Sequence, residues 1–263
     1  MRRVLLTGAS HLVGSHVLGQ LLAHNLCVRA VVASREEAEA LQQSFPGAGP
    51  SRLDFAIVRT RDIGVPGAYD DALNGNAHPF DTVIHALAAD PNDEADCLSR
   101  FITLETDTLI NFLQSVRKIG TSVERVIMIT SLSPFARWLV DPFVLRSPIA
   151  TSSPFSFSPR GPPEVDAEYV LATCQASDNI VYNDIRNWIT SSQARFDLVA
   201  VTAPSIYGPS MRPLENSSDL QEANRRIWNI CSNDSREHLD SPPYGIDFYS
   251  DVRVIIFLPL ASL

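Results

Sequence analysis

The 263-residue chain is poor in cysteine, and its four, Cys27, Cys97, Cys174 and Cys231, stand far apart with no C-x-x-C spacing. Neither a disulfide framework nor a cysteine-built metal site is expected, and the thiols read as reduced. His24, His78 and His238 show no ligand spacing either, so no metal is expected. Basic charge is scarce as well: 21 Lys and Arg against 30 Asp and Glu leave a net charge of −9. With no basic run to neutralise phosphates, a nucleic-acid partner is not expected. Long apolar runs are missing too. A four-residue strand, not the core of a signal peptide, follows Met1-Arg2-Arg3, and the apolar tail Val254–Leu263 is short and broken by Pro259. Neither suits export or a bilayer span, so a cytoplasmic protein without a membrane partner is expected, its sequons at Asn216 and Asn233 unmodified.

What is present is concentrated at the start, in Val4-Leu5-Leu6-Thr7-Gly8-Ala9-Ser10-His11-Leu12-Val13-Gly14-Ser15-His16-Val17. A short apolar strand, a glycine-bearing turn and an apolar-periodic helix follow one another. That order points backbone N–H groups and a helix N-terminus at the place where a dinucleotide pyrophosphate would lie. Gly8 permits the tight turn, and Gly14 lets the helix approach the strand. The middle glycine of the usual spacing is replaced by His11, so a Cβ and an imidazole stand where the turn is normally bare.

Further along, apolar runs alternate with amphipathic ones at the spacing of βαβ units. Strands are predicted at Val4–Thr7, Val28–Ala33, Phe55–Val58, Thr82–Ala86, Arg125–Thr130 and Leu198–Thr202. Helices are predicted at His11–Ala23, Arg35–Ser44, Ala68–Leu73, Cys97–Lys118 and Asn179–Ser192. Continuous Val/Ile/Leu strands imply a parallel sheet covered on both faces, a doubly wound α/β fold of the Rossmann type with ligands beyond the carboxyl ends of the strands. Pro134–Pro163, rich in Pro and Ser, reads as a long loop, and the chain divides into a dinucleotide-binding domain over 1–208 and a partial substrate lobe over 209–263. In that lobe one helix is predicted around Leu220–Cys231 and a strand at Phe248–Val252.

Five segments then carry a family resemblance: Thr7 through Val17, Val28 through Ser34, Phe80 through Ala86, Arg125 through Ser131, and Phe196 through Pro209 with its Pro204-Ser205-Ile206-Tyr207-Gly208. In this order they resemble the extended short-chain dehydrogenase/reductases of the NAD(P)-dependent epimerase/dehydratase type. The branch implied is that of dihydroflavonol reductases and fungal ketone and aldehyde reductases. The resemblance implies an oxidoreductase that reduces a ketone or aldehyde of a small molecule, in secondary metabolism, with a nicotinamide cofactor. It places Thr7, Gly8, Ser10, His11, Leu12, Val13 and Gly14 on the phosphate turn, Asp62 and Ile63 beside the adenine, Ala86 and Ala88 near the ribose, and Pro204 among the cofactor-binding residues. No acidic residue closes the second strand and Arg35 follows it, which favours NADP over NAD.

The resemblance also places Ser131 on the serine that hydrogen-bonds the substrate carbonyl. The family's tyrosine donates a proton to that oxygen, and a lysine four residues later lowers the tyrosine's pKa. Counted back without gaps from Phe196, those two positions fall on Cys174 and Asp178. Tyr182 and Arg186 preserve an aromatic acid and a cation four apart on one helical face, and Tyr169 is a further tyrosine, with Thr173 in the lysine's place. Two functions stand open: a reductase acting through Ser131, Tyr182 and Arg186, and a catalytically inactive relative that binds or scaffolds.

Overall fold

The computed structural model describes residues 2–74, 78–87, 98–131, 167–203, 205–211 and 249–255, with scattered positions between 214 and 232. Six strands, β1 (Arg3–Thr7), β2 (Cys27–Val32), β3 (Leu53–Ile57), β4 (Thr82–His85), β5 (Arg125–Ser131) and β6 (Asp197–Ala203), form one sheet in the order β3-β2-β1-β4-β5-β6. Every pairing is parallel. The order reverses between β1 and β4, which opens the crevice of a doubly wound sheet at their carboxyl ends.

Alternation along the strands sorts the core into two layers. Val4, Leu6, Val28, Ala30, Ile84 and Ile127 face the helices α1 (Leu12–Ala23) and α2 (Arg35–Ser44). Leu5, Val31, Val83, Val126 and Met128 face α3 (Asp70–Leu73), α4 (Leu98–Ile119) and α5 (Ala167–Ser192). At the amino ends Asp54 accepts from Arg3 Nη2 at 3.0 Å and from Arg29 Nε at 2.8 Å, and both guanidiniums lie over the Phe80 ring. That cluster ties β1, β2 and β3 together at the end away from the crevice.

Predicted and observed elements agree in order; α2 matches at both ends, and others differ at theirs. β3 starts two residues before the prediction and stops one earlier, and α1 begins at Leu12 because His11 is its N-cap. The largest difference is α5, which starts at Ala167 and not at Asn179. The polar run Gln175–Asp178 interrupts the apolar period there, but Ala, Glu, Leu and Gln keep helix propensity high through the gap.

Beyond the sheet, β7 (Ser205–Tyr207) pairs in parallel with β8 (Tyr249–Asp251), and a single helical turn, α6 (Val252–Ile255), follows. Three residues after a proline are too short to show a strand period, and β7 had no sequence signal. The Asn224 side chain brackets Gly208, its Nδ2 donating to the Gly208 carbonyl at 2.7 Å and its Oδ1 accepting from the Gly208 N–H at 3.2 Å. His16 Nε2 on α1 meets the Pro209 carbonyl at 2.8 Å, and Val252 is fully buried in the α1 layer. The Pro134–Pro163 segment lies outside the described residues, and only scattered positions of the Leu220–Cys231 segment are described.

Candidate dinucleotide and active site

The first site residue is dictated by geometry. Gly8 follows β1 with φ +67°, a left-handed conformation that disfavours any side chain, and a Cβ there would overlap the Ala86 carbonyl at the end of β4. A Cβ on Gly14 would in turn overlap the Gly8 carbonyl oxygen, so both glycines are required by close backbone approach. The His11 N–H donates to the Gly8 carbonyl at 3.0 Å, and the Ser15 N–H to the His11 carbonyl at 2.8 Å. His11 itself is extended (φ −81°, ψ 166°) and its side chain is exposed, so the histidine is held without backbone strain. Leu12 is buried, while Ser10 and Val13 are half-buried. The first turn of α1 has no acidic residue, leaving its positive end open to an anion. A turn with two glycines that cannot carry a Cβ, opening onto an acid-free helix N-terminus, fits a dinucleotide pyrophosphate.

Beneath the turn lies a pairing the sequence reading missed. Thr7 and His85 are register partners across β1 and β4, and Thr7 Oγ1 and His85 Nδ1 share a hydrogen bond of 2.9 Å. Both residues are buried, and the His85 ring stacks on Phe112 with centroids 4.2 Å apart and meets the Tyr69 ring edge-on. Burial holds the His85 imidazole neutral, its pKa pushed down to about 4 against a weak opposing contact from the Leu87 backbone. Burial likewise raises the Tyr69 phenol, so it stays protonated. The sequence signal was the register itself: Thr7 ends one strand and His85 the neighbouring one.

At the end of β2, Ser34 caps α2 by accepting from the Glu37 N–H, and the Glu37 carboxylate accepts from the Ala33 N–H at 3.0 Å. The arrangement is close to a capping box, with the carboxylate reaching the N–H one residue before the N-cap. The Glu36 carboxyl is held below its usual range, chiefly by a hydrogen bond from Ser34. Arg35 is exposed, its Nε 3.1 Å from Glu39 Oε1. Asp62 closes a 3-10 turn after β3, and Ile63 follows it; both are half-buried. Ala86 is half-buried against Gly8, whereas Ala88 and Pro204 lie outside the described residues.

Ser131 is the last residue of β5, opposite Ala203 of β6, at the carboxyl edge of the sheet. Cys174, Asp178, Tyr182 and Arg186 succeed one another at four-residue intervals along α5, and Tyr169 lies in its first turn. Because α5 joins the carboxyl end of β5 to the amino end of β6, its later residues lie farther from the crevice. Eight residues at 1.5 Å per residue set Tyr182 about 12 Å closer to the amino ends than Cys174. Tyr182 is 41% exposed and Arg186 is exposed, whereas their neighbours Val181 and Ile185 are buried against the sheet. The chain has one lysine, Lys118, at the end of α4, where its Nζ lies 2.8 Å from Asp70 Oδ2. That is the amino side of the sheet, the end opposite Ser131. Among the described residues no cluster of His, Cys, Asp and Glu could hold a metal, and no helix is long and apolar enough to cross a membrane.

No family model matches the chain. Ketoreductase azaE of Aspergillus niger is 23% identical over 257 residues, which cover 97% of this chain and 72% of that protein. NAD-dependent epimerase/dehydratase ALT6 of Alternaria alternata is 26% identical over 214 residues, 79% of this chain and 58% of that one. Among solved structures, the yeast methylglyoxal/isovaleraldehyde reductase Gre2 complexed with NADPH superimposes with a TM-score of 0.67 at 19% identity. The superposition covers 99% of this chain and 74% of that one. Along nearly its whole length the chain is thus similar to proteins named as ketoreductases and reductases, and it shares the fold of Gre2, with the glycine turn at the β1/β4 crevice.

Proposed function

We propose that the protein is an NADP-dependent oxidoreductase reducing the carbonyl of a small ketone or aldehyde in the cytoplasm. The observation that carries this reading is the turn at the β1/β4 crevice, built around Gly8 and Gly14 and opening onto an acid-free helix end. The ketoreductase name of one relative and the NADPH complex of Gre2 support the reaction class and the cofactor. The absence of an acidic residue at the end of β2, followed by Arg35, supports NADP over NAD. NADPH, when bound, supplies the hydride that reaches the carbonyl carbon. The chain's own part is to hold the pyrophosphate on the turn N–H groups, to orient the carbonyl oxygen with the Ser131 hydroxyl, and to deliver a proton to that oxygen. For the last step the candidate is the Tyr182 hydroxyl, with Arg186 one helical turn on to stabilise the phenolate that remains, although both lie farther along α5 from the crevice than Cys174.

A second reading, a binding protein without turnover, is favoured by two observations: Tyr182 lies deep along α5, and the only lysine lies at the opposite end of the sheet. NADPH oxidation measured with a panel of aldehydes and ketones separates the two. Under the first reading the unaltered chain turns over and Tyr182→Phe lowers the rate about 10²- to 10⁴-fold, the usual worth of general acid catalysis. Under the second the unaltered chain is silent, and Cys174→Tyr combined with Asp178→Lys creates activity. Turnover that survives Tyr182→Phe and disappears in Cys174→Ala would overturn both.

A further inference from the structure

We infer that His85 is a positioning residue for the cofactor turn, acting through its hydrogen bond to Thr7. The inference rests on the cofactor reading above and goes beyond it, because His85 is buried, 2% exposed, and acts through Thr7. Three observations converge. The Thr7–His85 bond, 2.9 Å between Oγ1 and Nδ1, joins the last residues of β1 and β4, one residue before the turn. Gly8 is seated directly on the Ala86–Leu87 backbone that follows His85, with room for a hydrogen and not for a carbon. The ring's orientation is set from the opposite side by stacking on Phe112 at 4.2 Å and 30°.

The turn N–H groups can bind a pyrophosphate only if Gly8 holds its position against β4. The backbone ladder sets the spacing of the two strands, but it ends where the turn begins. A side-chain hydrogen bond between residues that are both buried extends the fixed region to the edge of the turn. In low dielectric, and with no water to replace either partner, such a bond resists opening. Nε2 of the same ring has no hydrogen-bond partner of normal geometry among the described residues, so Thr7 is the ring's polar anchor within them.

The test combines Thr7→Val, His85→Phe, His85→Asn and the double variant Thr7→Val/His85→Phe. NADPH binding is read by fluorescence titration, melting temperature by calorimetry, and hydrogen exchange by the amides of residues 8–15 without cofactor. Thr7→Val and His85→Phe should each weaken NADPH binding about tenfold and speed exchange in the turn, and the double variant should bind no worse than either single one, because one shared bond is lost. His85→Asn, which keeps a polar atom near the Nδ1 position, should recover most of the loss. A role confined to packing would lower the melting temperature and leave the affinity of the folded protein and the exchange of the turn unchanged; that result overturns the inference. Failure of the unaltered chain to bind NADPH overturns the cofactor reading and this inference with it. Normal binding by the unaltered chain and by all four variants overturns the inference alone.

Discussion

His85 shows how a single residue ties folding to pH. Its folded pKa, about 4, lies below the ordinary histidine value of 6.5 because the charged imidazolium has no water around it. Between those values the unfolded chain binds a proton that the folded chain refuses, so stability is whole above pH 6.5 and falls as pH drops toward 4. Two and a half pKa units correspond to about 3 kcal/mol at most. Urea unfolding at a series of pH values should show this slope between pH 4 and 6.5, and His85→Phe, which cannot titrate, should remove it. A slope unchanged in that variant would assign the acid sensitivity to other groups.

At the scale of the element, α5 has two distinct halves of duty. Val181 and Ile185 anchor it, buried against the layer that holds Leu109, Phe112 and Leu113, while Tyr182 and Arg186 stand on its exposed side. Ile185→Ala removes buried carbons from a packed layer and should cost about 2–5 kcal/mol. Tyr182→Phe deletes an oxygen on a half-exposed ring and should leave stability within about 0.5 kcal/mol. Thermal unfolding of the two variants checks the contrast. It also guards the catalytic test: a loss of turnover in a Tyr182→Phe protein of unchanged melting temperature is chemistry and not unfolding.

Across the whole molecule, the β7–β8 pair and α6 are fastened to the α1 layer by Val252 and by the His16–Pro209 contact. Gly208 has φ +154°, and a Cβ on it would overlap Val252 Cγ1. Gly208→Ala should therefore loosen this segment, with a cost of about 1–3 kcal/mol from overpacking. Limited proteolysis should cut the variant after residue 205 sooner than the unaltered chain, while the six-stranded sheet stays intact. Equal cleavage rates would show that the segment is held by other contacts.

How much of this was legible in the sequence follows from the range of each interaction. Strand periods, the Gly8-x-x-His11-x-x-Gly14 turn and the order of the elements are local patterns, and they determined the doubly wound sheet and the position of the glycine turn. Helix α2 was read to the residue, Arg35–Ser44, because its helical pattern lies within ten consecutive positions. The start of α5 was not, since a polar stretch hid a helix that propensity alone continues. Long-range contacts had no such trace. The Thr7–His85 bond spans 78 residues, and the His16–Pro209 contact spans 193. The depth of Tyr182 along α5 depends on which way that helix crosses the sheet, a matter of topology and not of spacing. Sequence thus determined which residues could build the turn, and tertiary structure decided which side chains hold it, because a hydrogen bond between distant strands exists only once the sheet has set their register.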